Sequence, residues 1–198
     1  MSDRPVNLVF EDDLSGVVLR RLLSEIRPGC QIGLNYRTGG KGNIKRKLMG
    51  FNNAAKGMSY LILVDLDTEY ECPPSLLSDW FVHNKHPNLH FRIAVREVES
   101  WLLASRGAFS NYLGISKSEI PEISDHIQSP KELLLEIVSK SGKKSIREDI
   151  VPHIRTTAKV GPNYNHRLIE FVNQRWDYHE AIMCSESLSR TVDYLGKI

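Results

Sequence analysis

Strand-like and helix-like segments alternate through the first half of the chain. Short, β-prone segments occur at residues 5–10, 30–36, 60–64 and 89–95 and predict four strands. Between them, apolar residues recur every three or four positions, as they do from Leu14 to Ile26, which is typical of a helix with one buried face. This alternation with short links predicts an α/β fold, a small, open, mostly parallel sheet with helices on both faces.

For two of the predicted helices, the sequence indicates which residues face the core. The helix that follows the glycine-rich turn at 38–43 is expected to direct these residues inward: Ile44, Leu48, Met49 and Phe51. The helix that begins at Pro73-Pro74 is expected to share one face among these residues: Leu76, Leu77, Trp80 and Phe81. Both faces would pack against the sheet.

The strand pattern fades from about Arg106 onward. Apolar spacing there predicts helices after Pro130, around 168–176 and around 188–195. We therefore predict an α/β core at residues 1–105 and a helical C-terminal region at 106–198 that packs on it.

Composition narrows the class of protein. The 198 residues are 41% hydrophobic and 25% charged, which is enough apolar material to bury a core and excludes a wholly disordered chain. The longest apolar run, 60–64, is far shorter than the roughly 20 residues that cross a membrane. Residues 1–10 lack a signal-peptide pattern, and three scattered cysteines argue against a disulfide framework. These features predict a cytoplasmic protein with no membrane partner.

Charge is distributed unevenly, although the net charge is only +2. No acidic residue occurs between Arg27 and Val64, where seven residues are basic: Arg27, Arg37, Lys41, Lys45, Arg46, Lys47 and Lys56. The following stretch carries acidic residues instead: Asp65, Asp67, Glu69, Glu71 and Asp79. The pattern fits a track for a polyanion leading to a metal site, but on charge alone it favours two oppositely charged surfaces that pair with each other.

Acidic residues follow the strand ends at which parallel sheets bind ligands. Glu11 follows the first strand, and Asp65-Leu66-Asp67 ends the third. In an extended backbone both aspartates would face one side, with Leu66 in the core. Carboxylates are ligands that magnesium prefers, and crowded carboxylates repel one another unless a cation is present. We therefore predict Mg²⁺ or Mn²⁺ bound by Glu11, Asp65 and Asp67, although a solvated strand end is the alternative.

A further ligand is expected after the fourth strand. Glu97 and Glu99 would face one side if the backbone is extended there, but would diverge by about 200° if it is already helical. We favour Glu99 as the additional metal ligand, while Glu97 could pair with Arg92 or Arg96 instead.

The glycine-rich turn Gly39-Gly40-Lys41-Gly42 leads into the basic helix. Such a turn offers backbone N–H groups and a positive helix dipole to a phosphate, although the GxxxxGK[ST] spacing of a Walker A motif is absent. Lys41, Lys45 and Arg46 are predicted to hold a nucleic-acid backbone, and Lys41 is a candidate catalytic residue that stabilises transition-state charge. A plain loop followed by a solvated basic helix is the alternative.

Glu11 after the first strand and Leu61-Ile62-Leu63-Val64-Asp65-Leu66-Asp67 at the third resemble the TOPRIM module of topoisomerases, primases and OLD-type nucleases. The resemblance implies a small parallel sheet with helices on both faces, bound magnesium, and the breaking or joining of phosphodiester bonds. It implies Glu11 as acid/base or ligand, and Asp65 and Asp67 as metal ligands. Many TOPRIM modules have a glycine soon after this glutamate, whereas here it comes only at Gly16.

The segment Arg96-Glu97-Val98-Glu99-Ser100-Trp101-Leu102-Leu103 resembles a Glu-x-Trp-Leu stretch of small, uncharacterised bacterial TOPRIM-like proteins. These proteins are encoded near restriction and phage-defence genes. The resemblance implies a role in anti-phage defence and a partner protein from the same operon, for example an ATPase.

Two function classes follow from these residues. The first is a magnesium-dependent phosphodiester hydrolase, a TOPRIM-type nuclease acting on DNA or RNA, with Glu11 and Lys41 as catalytic residues. The second is a non-enzymatic accessory subunit that binds nucleic acid or a partner and keeps the acidic cluster for structure. A nucleotide-binding phosphotransferase is a third possibility, but the chain has no recognisable base- or ribose-binding fingerprint.

Overall fold

The computed structural model describes residues 5–81, 84–153 and 156–198. The chain divides into two compact units, one formed by residues 1–95 with 191–198 and the other by residues 96–190. The division therefore falls between the fourth strand and the helix that follows it. That helix packs among the helices of the second unit.

The first unit is the predicted α/β fold. Its elements in chain order are β1 (Val6–Phe10), α1 (Asp13–Ile26), β2 (Ile32–Arg37), α2 (Lys41–Ala54), β3 (Ser59–Asp65), α3 (Pro73–Trp80) and β4 (Leu89–Ala94). The strands form one open, all-parallel sheet in the order β2-β1-β3-β4. The predicted fold class is confirmed.

Strand pairing places two acidic residues at one edge of the sheet. β1 and β3 are neighbours, with Leu8 opposite Leu61, and all five residues of β1 are buried. β3 ends at Asp65, which lies opposite Ala94 of β4. Since all strands run in the same direction, residues that follow β1 and β3 leave the sheet at adjacent positions.

The glycine at position 16 has a packing role. Helix α1 begins after Asp12, whose carboxylate accepts a hydrogen bond from the Ser15 N–H at 2.9 Å. A Cβ atom at Gly16 would lie 2.7 Å from the Phe10 ring, closer than real Cβ contacts. The absence of a side chain at Gly16 therefore lets α1 pack closely on the end of β1.

Two of the predicted inward positions are wrong. Met49 is 50% exposed and Leu77 is 37% exposed. The buried residues of α2 are Ile44 and Leu48, and those of α3 are Leu76 and Trp80. Each buried pair is four residues apart and so shares one face, whereas Met49 and Leu77 each lie about 100° around the helix from the residue before.

The second unit is helical, in agreement with the sequence pattern. Its elements are α4 (Val98–Ala104), α5 (Arg106–Leu113), 3-10 helices at Lys117–Glu119 and Ser124–His126, α6 (Pro130–Ser139), α7 (Lys144–Ile150), α8 (Tyr164–Gln174) and α9 (Tyr178–Ala181). A last helix, α10 (Glu186–Leu195), runs from residues of the second unit into residues of the first. Trp101, Phe109 and Phe171 are fully buried in the second unit. None of the helices in the described ranges has the length and apolar character needed to span a bilayer.

Candidate functional site

Glu11 links the ends of β1 and β3. Its Oε1 accepts a hydrogen bond from the Asp65 N–H at 3.0 Å, although the two residues are 54 positions apart. The Lys41 N–H also donates to the carboxylate of Glu11. The first N–H of α2 therefore donates to the Glu11 carboxylate. A helix N-terminus attracts acidic groups of this kind.

The turn before α2 is held against the same strand end. The Gly39 N–H donates to the Glu11 carbonyl oxygen at 2.9 Å, and the Thr38 N–H donates to the Phe10 carbonyl oxygen at 3.0 Å. Gly39 and Gly40 have φ angles of 74° and 135°, a region that favours glycine. The glycine-rich turn thus brings Lys41, the first residue of α2, over the carboxyl edge of the sheet.

The Lys41 side chain forms an ion pair with two carboxylates. Its Nζ lies 2.6 Å from Asp67 Oδ2 and 3.1 Å from Glu69 Oε2, and it donates to the Leu66 carbonyl oxygen at 3.3 Å. The Lys41 side chain is only 11% exposed, whereas those of Asp67 and Glu69 are 41% and 62% exposed. The ammonium group therefore lies beneath carboxylates that solvent can reach.

The predicted extended backbone through Asp65-Leu66-Asp67 is wrong. The strand ends at Asp65, and Asp67 has a φ angle of 55°, the left-handed region. The Leu66 N–H donates to the Ala94 carbonyl oxygen at 2.9 Å, and the Leu66 side chain is fully buried, as expected. The chain turns after Leu66, so Asp67 reaches Lys41 by a reversal of the backbone and not by strand alternation.

Burial controls the acid–base properties of Glu11. Burial raises the pKa of Glu11 above its usual value, and the nearby negative charge of Asp67 raises it further. The hydrogen bond from Asp65 and the positive charge of Lys41 oppose this rise without cancelling it. Burial lowers the pKa of Lys41, but its hydrogen bonds to Asp67 and Glu69 outweigh that effect, so this lysine stays charged.

The raised pKa of Glu11 predicts a pH-dependent stability effect. A carboxyl whose pKa is higher in the folded than in the unfolded state stabilises the fold fully below the unfolded pKa of about 4.5, and this contribution is lost as the pH rises through the folded value. We expect Glu11→Gln to raise the urea midpoint at pH 7 to 8, and the gain to shrink as the pH falls toward 4. Urea unfolding of both proteins across this range tests it. A gain that persists unchanged at pH 4 would contradict the burial argument.

The carboxylate oxygens of this site are of the type that magnesium prefers as ligands. No group of three or more His, Cys, Asp and Glu side chains in the described part of the chain is arranged to hold a metal ion. Magnesium, however, keeps several of its waters and is usually bound through one or two carboxylates together with substrate phosphates. Asp67, whose carboxylate is partly exposed, and Asp65, at the end of β3, are the residues that would hold it beside Glu11.

The other predicted nucleic-acid-binding residues lie further along α2. Lys45 Nζ is 2.5 Å from Asp79 Oδ2, and the two side chains are 44% and 46% exposed. Arg46 is exposed and donates to the Asn43 side chain. The basic and acidic segments therefore pair with each other at Lys41 and Lys45. This is the second of the two interpretations of the charge pattern. Exposed pairs of this kind contribute little, so a phosphate could displace the carboxylate from Lys45.

Glu97 and Glu99 belong to the second unit and have partners there. The backbone is extended at Glu97 and helical at Glu99. Glu97 Oε2 accepts from the Lys131 N–H at 2.9 Å. Glu99 is 4% exposed, accepts from the Tyr164 hydroxyl at 3.0 Å and lies 3.3 Å from Lys131 Nζ. The assignment of Glu99 as a metal ligand stays a prediction.

Two neighbours of Lys41 were not identified as site residues from the sequence. Glu69 was recognised only as a member of the acidic stretch, and Tyr70 was not singled out. The Lys41 ammonium lies 5.5 Å from the centre of the Tyr70 ring, and the Tyr70 hydroxyl donates to Asp79. The density of acidic residues just after Asp67 was the only available signal, because spacing cannot show which of them turns back toward α2.

Comparison of the sequence with family models, with curated proteins and with solved structures found no match.

Proposed function

We propose that the protein is a magnesium-dependent phosphodiester hydrolase, a TOPRIM-type nuclease that acts on DNA or RNA. One observation carries the proposal. A half-buried carboxylate with a raised pKa, Glu11, a shielded ammonium, Lys41, and a partly exposed carboxylate, Asp67, meet beside the carboxyl ends of β1 and β3. Ligands of open parallel sheets bind at such an edge.

The roles of the residues follow from their surroundings. Lys41, which stays protonated, would contact a phosphate oxygen on which negative charge develops. Glu11 would accept a proton, since a raised pKa brings a carboxylate closer to the range in which proton transfer is efficient near neutral pH. Bound magnesium, held by Asp65 and Asp67 with Glu11 adjacent, would supply positive charge at the phosphate and a more acidic water.

The nucleic-acid backbone would lie along α2. Lys45 and Arg46 are exposed on this helix, four and five residues after Lys41, and they contact the side chains of Asp79 and Asn43 at the surface. Contacts of this kind position a phosphate backbone without reading bases. Such contacts would hold DNA and RNA alike.

A cleavage assay with metal controls tests the proposal. Single- and double-stranded DNA and RNA are incubated with the protein and Mg²⁺ or Mn²⁺, with EDTA as the metal-free arm. We expect cleavage that requires the metal and falls about 100-fold or more in Asp67→Asn. Asp193→Asn, which changes an exposed carboxylate on α10, is the matched control and should retain activity.

Metal binding is measured separately by thermal unfolding. A ligand that binds only the folded state raises the melting temperature in proportion to the logarithm of its concentration, once the site is saturated. We expect Mg²⁺ to raise the melting temperature of the wild type and not that of Asp67→Asn. Absence of metal binding by calorimetry, together with no cleavage of any nucleic-acid form, would refute the proposal.

A specific observation favours the alternative function, an accessory subunit that binds nucleic acid or a partner. Lys41 already neutralises part of the charge of Asp67 and Glu69, so the acidic cluster has a counter-charge within the chain. If the acidic cluster serves only to pair with Lys41, the double variant Asp65→Asn with Asp67→Asn should still bind nucleic acid.

The proposal extends to the cellular setting. The resemblance to TOPRIM-like proteins encoded near restriction and phage-defence genes supports a role in anti-phage defence. A cytoplasmic location and a partner from the same operon, such as an ATPase, belong to the same proposal.

A further inference from the structure

An open groove lies on the second unit, between the segment 121–129 and helix α6, and has a volume of about 450 Å³. We propose that this groove binds an amphipathic segment of a partner protein, one that presents apolar side chains flanked by lysine or arginine. The residues that line the groove are different from the proposed nuclease residues, and the inference does not depend on those residues.

The inner surface of the groove is apolar. Pro121, Ile123, Ile127 and Leu133 line it, and Ile123 is 51% exposed. Leu133 lies on the outer side of α6, whereas Leu134, Ile137 and Val138 of the same helix are buried in the unit. These groove-lining side chains therefore leave apolar area that a partner could cover.

A second exposed apolar side chain lies on a segment that is hydrogen-bonded to the groove segment. Among the described residues of the second unit, the large apolar side chains that are exposed are Ile123 and Met183, the latter 82% exposed. The segments that carry them are joined, because the Ser124 N–H donates to the Cys184 carbonyl oxygen at 2.9 Å. Methionine is a flexible apolar side chain that adapts well to the shape of a partner.

The border of the groove is acidic. Glu132 and Glu136 are one turn apart on α6, both exposed, and both line the groove. Glu136 Oε1 lies 3.0 Å from Lys140 Nζ, but both side chains are more than half exposed, so a cation of the partner could replace this contact. Neither lysine nor arginine is found among the described residues that line the groove. Charge complementarity therefore selects a basic partner.

The same charges disfavour other occupants. Nucleic acids and anionic membranes are recognised through basic residues, and carboxylates at the border would repel their phosphates. An apolar surface with an acidic border instead matches a helix that carries leucines on one face and lysines beside them, the groove mode of peptide recognition.

A pair of labelled peptides tests the inference with the full-length protein. The first is a helical peptide with leucines at i, i+3, i+4 and i+7 flanked by lysines. The second has glutamate in place of each lysine. Fluorescence anisotropy should show binding of the first peptide, weakened by salt, and affinity for the second at least tenfold lower.

Variants locate the binding surface. Glu132→Lys with Glu136→Lys, and separately Ile123→Asp, should each lower the affinity for the lysine peptide at least tenfold. Glu148→Lys, at an exposed glutamate on α7, is the matched control and should change it less than twofold. Circular dichroism confirms that each variant is folded.

Three outcomes would overturn the inference. The first is equal binding of the two peptides, and the second is equal binding by the groove variants and the control. The third is a dimer in sedimentation velocity that Ile123→Asp dissociates, because the groove would then be covered by a second copy of this chain.

Discussion

Replacing Lys41 by methionine is expected to lower the rate of metal-dependent cleavage by roughly 100- to 1000-fold, the loss typical when one preorganised donor to a developing charge is removed. Methionine keeps much of the side-chain length but not the charge. The ion pairs with Asp67, at 2.6 Å, and Glu69, at 3.1 Å, would both be lost. Single-turnover cleavage at saturating enzyme measures the chemical step apart from substrate binding.

The same substitution has a stability effect that separates catalysis from charge balance. Without Lys41, the carboxylates of Asp67 and Glu69 would lose the ammonium group that they share, and Glu11 would lose its nearby positive charge. We expect a loss of no more than about 1 kcal/mol in the free energy of unfolding, since Asp67 and Glu69 are partly exposed and screened. Added Mg²⁺ should restore part of this loss if the carboxylates bind it.

Lys47→Met is the matched control for Lys41→Met. Lys47 is an exposed lysine on the same helix, so its replacement changes the net charge equally and should leave the cleavage rate within about twofold of the wild type. Equal cleavage rates for Lys41→Met and Lys47→Met would show that Lys41 has no catalytic role.

Replacing Leu63 by alanine is expected to destabilise the fold by about 2 to 5 kcal/mol, the range for removing a buried leucine side chain from a packed core. Leu63 is fully buried in β3, the strand that ends at Asp65. Leu34 on β2 is 61% exposed, so Leu34→Ala is the control and should cost less than about 0.5 kcal/mol. Urea unfolding measures both, and similar losses would contradict the burial of β3.

The order and type of the elements in the first unit could be predicted because their pattern is local. The apolar run from Tyr60 to Val64 is typical of a strand that is buried on both faces. The spacing of apolar residues from Leu14 to Ile26 is typical of a helix that is buried on one face. Helix faces were predicted less well. Met49 and Leu77 are apolar, but the side chain that packs on the sheet in each helix is the one about 100° around the helix from them. Residue type alone does not show this.

The candidate site was predictable only in part. Glu11 was placed near β3 correctly, since residues after neighbouring parallel strands leave at one edge. The contacts of Lys41 were not predicted. They depend on the left-handed backbone at Asp67 and on a turn held by Gly39, which spacing does not encode.

An α/β unit followed by helices, and acidic residues at particular strand ends, can be predicted from the order of the residues, because burial and chain direction are properties of short segments. Three features could be known only from the folded chain: the pairing of Lys41 with Asp67 and Glu69, the burial of Glu99 beside Tyr164, and the open apolar groove beside α6. Those outcomes depend on contacts between residues distant in sequence, such as Lys41 and Asp67, 26 positions apart. Their energies become defined only when the chain has folded.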